Sequence, residues 1–262
     1  MARVAGTIVV VSDAREQRLV FGEVAEQYDA VRPSYPDALF EAVVAYGGLH
    51  SGSRALELGA GTGKATVGFV ARGLDVHALE PSPEMARVLR AKGIAAEVTT
   101  FEEWTPPPGR FDLVYAAQAW HWVHGEDRYQ RVANALQPGG TFAVFWNKGR
   151  EHEGDFAADN EAAYAAYAPD LVSPAPSWAL GWVVDELTRS PSYTAIERRA
   201  FTWATSYSRD GWLALLATHS DHRILPDAQR TRLHAAVGDA IDNNGGTIDV
   251  VYDTELLLAR RG

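Results

Sequence analysis

The sequence predicts an α/β fold: a doubly wound, mostly parallel seven-stranded sheet with a reversed edge strand and a helical lid and insertion. Three observations carry this. From Ser53 onward short apolar runs alternate with helical stretches, a glycine-rich turn at 59–63 follows the first such run, and a late strand, helix and strand close the chain. The chain has 262 residues, 47% of them apolar, so it can bury one large core.

In order, Arg54 to Leu58 reads as the first strand, Leu74 to Leu79 as the second, and Ala95 to Thr99 as the third. Phe111 to Ala116 and Thr141 to Trp146 read as the fourth and fifth. Helical segments are predicted near Lys64 to Arg72, Pro83 to Ala91 and Asp127 to Leu136, with Gly73, Gly93 and Pro138-Gly139-Gly140 as stops. After Asn147 the pattern changes to an Ala- and Tyr-rich stretch at 155–167 and the proline-broken segment Pro169 to Pro176, which together read as an insertion. Trp178 to Arg189, Arg209 to Thr218 and Pro226 to Asn243 read as helices, and Thr194 to Thr205 has strand-like alternation. Gly245-Gly246 then opens a final strand, Thr247 to Leu258. Residues 1–20 read as an N-terminal extension, since the run Ile8 to Val11 is far too short to span a bilayer. Residues 21–262 read as a single domain, with lid helices at 21–47 and a helical insertion at 150–190.

The formal charge of −10, from 34 acidic and 24 basic residues without a basic block, makes a nucleic acid a poor partner and a small molecule the better one. The absence of cysteine removes disulfides, thiolate nucleophiles and zinc–cysteine sites, and is compatible with a cytoplasmic setting. No membrane segment is predicted. A monomer and a homodimer are equally compatible with the sequence.

The turn Gly59-Ala60-Gly61-Thr62-Gly63 lets the backbone bend sharply and lets a nucleotide-like ligand approach with no Cβ in the way, beside the free N–H groups of a helix start. A dinucleotide fingerprint asks for G-x-G-x-x-G, and here the third glycine comes one position early, with Lys64 where the fingerprint wants glycine. Glu80, 21 positions beyond Gly59, follows the second strand, where a carboxylate accepts from both hydroxyls of a ribose. That feature is common to adenosylmethionine and NAD. Glu57, just ahead of the glycines, tips the balance, because a carboxylate there can order the loop and face an ammonium group, whereas it would repel a pyrophosphate.

At this point the chain resembles a known family. Leu56-Glu-Leu-Gly-Ala-Gly-Thr-Gly63, Glu80-Pro-Ser-Pro-Glu-Met85, Ala116-Ala-Gln-Ala-Trp-His-Trp122 and Leu136-Gln-Pro-Gly-Gly140 look like successive motifs of class I S-adenosylmethionine-dependent methyltransferases, in the family's order. The segment Phe21 to Pro36 resembles the N-terminal lid of the methyltransferase type 11 subgroup that includes trans-aconitate methyltransferase-like enzymes. The resemblance implies a Rossmann-like methyltransferase fold, adenosylmethionine as cofactor and adenosylhomocysteine as product. It also implies that Gly59, Ala60, Gly61, Thr62 and Gly63 line the methionine and ribose part, that Glu80 and Pro81 border the ribose, and that Met85 packs on the adenine. Thr100, Phe101 and Glu102 would close the adenine pocket, and Ala117 and Gln118 would face the reactive sulfonium. Tyr28, Arg32 and Tyr35 match lid positions within reach of the methionine carboxylate or the acceptor.

Methyl transfer from such a cofactor is a direct displacement onto an O, N, S or carboxylate acceptor, and it needs no protein nucleophile. A hydroxyl or amine acceptor is helped by a base. His121, after the fourth strand at the C-terminal edge of the sheet, is the first candidate; the alternative is that it fixes a helix start or packs under Trp122. Trp120 and Trp122 read either as walls of an acceptor pocket or, more readily, as core, and Trp146, Trp203 and Trp212 carry the same two readings. His219 and His222, three apart with Asp221 between, approach metal-pair spacing but lack a third ligand at a telling distance, so no metal is expected. His219 and Arg223 read instead as substrate-pocket residues, with Arg223 or Arg32 able to hold an acidic group. An NAD-dependent oxidoreductase and a non-catalytic adenosylmethionine- or adenosylhomocysteine-binding module are the competing readings.

Overall fold

The computed structural model describes residues 25–106, 110–150, 152, 154–171 and 180–262. The extension expected at 1–20, the start of the lid at 21–24, the end of the proline-broken segment and the helix start at Trp178 lie outside the described residues.

The sheet has seven strands: β1 (Arg54–Leu58), β2 (Asp75–Leu79), β3 (Ala96–Glu97), β4 (Phe111–Ala117), β5 (Leu136–Gly149), β6 (Tyr193–Ser208) and β7 (Thr247–Arg261). Their order is β3-β2-β1-β4-β5-β7-β6. The first five are mutually parallel, and β7 runs antiparallel between β5 and the edge strand β6, which gives the expected sheet with a reversed strand at one side. β3 is cut to two residues, shorter than the sequence pattern predicts, whereas β6 and β7 run to 16 and 15 residues. A strand normally spans about five or six residues. The extra length makes an arm: Thr247 to Val251 pairs along β6 past the end of the β5 ladder.

Ten helices surround the sheet among the described residues: α1 (Ala25–Val31), α2 (Asp37–Gly47), α3 (Thr66–Val70), α4 (Pro83–Ala91), α5 (Arg128–Ala135), α6 (Gly154–Tyr167), α7 (Gly181–Arg189), α8 (Arg209–Leu216), α9 (Ser220–Arg223) and α10 (Asp227–Asn243). The period-two alternation of buried strands sorts residues onto two faces. Leu56, Leu58, Val114, Ala116, Phe142 and Val144 pack with Val132 of α5 and with Val183 and Leu187 of α7. Ala55, Leu113, Tyr115, Ala143 and Phe145 pack with Leu39, Phe40 and Val43 of α2 and Phe69 of α3. A third cluster joins Ala163 of α6 and Leu233, Val237 and Ile241 of α10 to Ile248, Val250 and Tyr252 on the arm. The insertion and the late helices therefore form a cap over the arm, on the side of the sheet where the parallel strands end.

Local signals explain the helix starts. Ser82 caps α4 by accepting from the N–H of Met85 at 3.3 Å, with Pro83 as the first helical residue. Ser208 caps α8 in the same way through Gly211, at 3.2 Å. No helix among the described residues is long and apolar enough to cross a membrane.

Candidate functional site

The carboxyl ends of β1, β2 and β4 surround a first cavity lined by Gly59, Gly61, Glu80, Pro81, Met85, Thr100, Phe101, Glu102, Ala117, Gln118 and, from the lid, Tyr28. In an open α/β sheet this is where ligands bind. Gly59 and Gly61 have φ of +69° and +57°, conformations that glycine adopts without a Cβ penalty. A Cβ on Gly59 would stand 2.8 Å from the Cβ of Ala119, so the loop and the end of β4 approach as closely as they do only because the side chain is absent. A Cβ on Gly61 would meet nothing within 4 Å, which leaves an open backbone face at the cavity.

Glu80 is buried, at 6% exposure, and holds the turn together. Its Oε2 accepts from the N–H of Gly61 at 2.7 Å and its Oε1 from the N–H of Ser82 at 2.8 Å. Burial pushes its pKa up to about 7 against those two hydrogen bonds. Each carboxylate oxygen keeps a further lone pair for a ligand hydroxyl. Glu57 is still more enclosed: its Oε2 accepts from Thr66 at 2.6 Å and Tyr115 at 2.7 Å, while Oε1 is buried without a partner. Burial raises this group also, to about 7. Glu57 does not line the cavity; it sits beneath the loop, tying β1 to β4 and to the start of α3.

The adenine-side turn after β3 is pinned from behind. Arg131 of α5 donates to the carbonyls of Phe101, Glu102 and Trp104 at 2.7, 3.2 and 3.3 Å, and Glu102 accepts from the N–H of His124 at 2.8 Å. The lid is fastened to the same region. Tyr28 packs with Met85 and Val88, and Lys92 bridges Asp29 of α1 at 2.6 Å to the carbonyl of Thr62 at 2.8 Å. Neither Arg131 nor Lys92 was singled out from the sequence, because each acts on partners 27 or more positions away in the chain.

A second cavity lies on the other side of Gln118 and is lined by Arg32, His121, Trp122, Trp146, Asn147, Arg150, His152, Trp212, His219, Asp221 and Tyr252 among others. Tyr28, Gln118 and Trp122 belong to both cavities. Gln118 stands at the end of β4 with φ +56°, a left-handed conformation uncommon outside glycine, while its N–H still pairs with the carbonyl of Phe145 at 2.9 Å. His121 and Trp122 follow on a short 3-10 turn, their rings 4.7 Å apart. His121 lines the second cavity, and its Nδ1 is enclosed without a partner. Burial, with His124 nearby, lowers its pKa to about 4, so the ring is neutral at neutral pH.

On the far wall, Arg32 reaches from the lid to Thr218, donating from Nε to Oγ1 at 2.8 Å and from Nη2 to the carbonyl at 3.0 Å. His219 is beside it, its pKa lowered by burial and by Arg32. His219, Asp221 and His222 come within 4.8 Å of one another through their ligand-type atoms. Both ring nitrogens of His222 already have partners, His234 and Tyr164, each at 3.0 Å. That pairing ties the turn to α10 and α6.

Several expected residues are placed elsewhere. Trp120 is fully buried between Tyr129 and Phe142 and lines neither cavity; its N–H donates to the Tyr129 hydroxyl at 3.1 Å. Successive residues of a short turn point in different directions, which separates it from Trp122. Tyr35 packs edge-on against Phe145 at 4.9 Å, and Arg223 lies on α9 beyond the cavity wall. Ala60, Thr62 and Gly63 shape the loop from behind its open face. In the other direction, Asn147, Arg150 and Tyr252 line the second cavity although nothing in their local sequence marked them.

A methyltransferase-domain family model matches residues 55–140. An uncharacterized methyltransferase of Mycobacterium tuberculosis is 33% identical over 220 residues, 83% of this chain and 84% of that protein. The trans-aconitate 2-methyltransferase of the same species is 33% identical over 132 residues, 49% of this chain and 48% of that one. Among solved structures, a type II methyltransferase assigned to Anaeromyxobacter dehalogenans has a TM-score of 0.63 at 23% identity, covering 87% of this chain and 97% of its own. A Haemonchus contortus phosphoethanolamine N-methyltransferase bound to S-adenosylhomocysteine has a TM-score of 0.54 at 14% identity, with 92% and 57% covered.

Proposed function

This chain belongs to the S-adenosylmethionine-dependent methyltransferases, with S-adenosylmethionine as its cofactor, and we propose that it moves the methyl group by direct in-line displacement to a small molecule held in the second cavity. The observation that carries the reading is the shared wall: Tyr28, Gln118 and Trp122 border both cavities, so a donor in one and an acceptor in the other meet there.

The residues of the first cavity fit the cofactor. The open backbone face at Gly61, the buried carboxylate of Glu80 and the apolar side chains of Met85 and Phe101 match a polar aminoacyl-ribosyl half and a flat adenine. When bound, the cofactor supplies an electrophilic methyl on a positively charged sulfur. The protein's part is orientation and the exclusion of water. Gly59 and Gly61 admit the ligand to the backbone, Glu80 holds the ribose hydroxyls, and Met85, Thr100, Phe101 and Glu102 enclose the base. Tyr28 closes the roof, and Ala117 and Gln118 set the height at which donor and acceptor face each other.

For a hydroxyl acceptor, His121 is the candidate proton acceptor: its imidazole would take the hydroxyl proton, while the cofactor held in the first cavity would supply the methyl group. A carboxylate acceptor would need no such help. Trp122 walls the acceptor side, and Arg32 and His219 face it across the cavity.

A thermal-shift titration with adenosylmethionine, adenosylhomocysteine and NAD tests the premise, since a ligand at 100 times its Kd adds roughly 2.7 kcal/mol of stability. Both adenosyl ligands raise the melting temperature and NAD does not. Radiolabel transfer from adenosylmethionine to a panel of phenols, acids, amines and thiols then tests the acceptor class. Binding of adenosylhomocysteine with no transfer to any member of the panel speaks for a non-catalytic binding module.

A further inference from the structure

The second cavity carries more information than a shape. Its apolar surface is aromatic: Trp122, Trp146, Trp212 and Tyr252 contribute rings, with Tyr28 at the junction. Its charged lining side chains are Arg32, Arg150 and Asp221. Arg150 is neutralised where it stands, with Nε and Nη2 donating to the two carboxylate oxygens of Asp253 at 2.8 and 2.9 Å. Arg32 is different. Among the described residues no carboxylate pairs with it; its guanidinium is fixed by the hydroxyl and carbonyl of Thr218 and lies 5.0 Å from the Tyr28 ring centre. His121, His152 and His219 add no charge near neutral pH, because burial lowers all three. Asp221 is an exposed negative charge on the same wall, its Oδ1 accepting from the N–H of His222 at 2.8 Å, and it disfavours a second anionic group on the ligand.

We propose that the acceptor is a planar aromatic molecule bearing one anionic group, its ring among the tryptophans and its anion against Arg32. The assignment rests on the methyl-transfer reading of the two cavities and narrows it. A partly enclosed guanidinium held in place without a counter-ion is pre-organised for an anion, and it matches one negative charge better than several. A multiply charged aliphatic acid would leave its remaining carboxylates against indole faces and neutral imidazoles, where their lost hydration is not replaced. An uncharged aromatic would fill the rings and leave Arg32 unpaired.

The test is isothermal titration of the adenosylhomocysteine-loaded protein with three probes: 4-hydroxycinnamate, its amide, and tricarballylate. The aromatic acid binds at least tenfold more tightly than either of the others. Arg32→Gln brings the acid down to the affinity of the amide and leaves the amide unchanged, while Arg32→Lys keeps most of the preference; single cooperative melting transitions for both variants, lowered by no more than a few degrees for the lost contacts to Thr218, show that the fold is intact. Tricarballylate binding as tightly as the aromatic acid, an amide indistinguishable from the acid, or no binding by any probe overturns the assignment. Loading separates the two levels of inference. A protein that does not take up adenosylhomocysteine refutes the functional reading and this one with it, whereas a loaded protein with the wrong ranking refutes only this one.

Discussion

The two cavities that meet at Gln118 are built in opposite ways. The first is made of backbone and short-range sequence: a glycine turn, the residues after β2, and a loop after β3, all within one run of βα units. The second is made of side chains from the lid, the ends of β4 and β5, the α8–α9 turn and the β7 arm, which are brought together only by the completed fold. A site built of backbone changes abruptly when a Cβ is added. A site built of side chains loses function by degrees and by ligand.

The sharpest way to break this contrast is at Gly59. Gly59→Val places a branched side chain against Ala119 in a left-handed conformation, and adenosylmethionine affinity falls by about 100-fold or more, measured by calorimetry. A near-normal affinity would mean that the loop moves freely and that the cofactor half is no more backbone-determined than its neighbour.

On the acceptor side the largest effect is expected at His121. His121→Ala lowers kcat for a hydroxyl acceptor by about 100-fold, the low end for a lost base, with adenosylmethionine affinity unchanged. Because burial holds the imidazole near pKa 4, the wild-type rate for such an acceptor stays flat from about pH 5 to 8 on account of this group. A break near pH 6.5 would show that the ring is far more solvated than its enclosure indicates.

Stability against pH separates the two halves differently. The buried carboxyls Glu57 and Glu80 have pKa values raised to about 7, so their contribution is present below about pH 4.5 and is lost as pH rises through 7. His121 and His234, lowered to about 4, act with the other sign: their contribution is present above about pH 6.5 and is lost as pH falls through 4. Glu57→Gln therefore gains on the wild type as pH rises from 5 to 8, by on the order of a few degrees in Tm. A constant difference would show that Glu57 ionises normally beneath the loop.

The smallest effect is expected at Thr218. Thr218→Val removes the hydroxyl that accepts from Arg32 but keeps the carbonyl bond, so about 1 kcal/mol of lid attachment is lost. A several-fold rise in acceptor KM follows, with little change in kcat. A fall in kcat alone would place Arg32 in the chemistry rather than in binding.

Particular residues show how much of this was legible. Strands β1, β2, β4 and β5 followed from apolar runs bounded by Gly and Pro, and the reversed β7 from the Gly245-Gly246 opening. Trp120 and Trp122 were indistinguishable in sequence, because a spacing of two on an irregular turn does not say which ring points inward. For Trp146 and Trp212 core was the favoured of two readings and both line a cavity, since a buried ring and a pocket ring obey the same composition rule.

By itself the sequence determined the βα order, the glycine turn and the acid after β2, and with them the methyl donor, because these features lie on consecutive strand–turn–helix units, Gly59 and Glu80 being 21 positions apart. The tertiary structure alone decided that Arg32 stands on Thr218, that Arg150 is neutralised by Asp253, and that Asn147, Trp212 and Tyr252 face His121. Those relations span from 26 to 186 positions of chain, and local propensity carries no trace of contacts made at such separations.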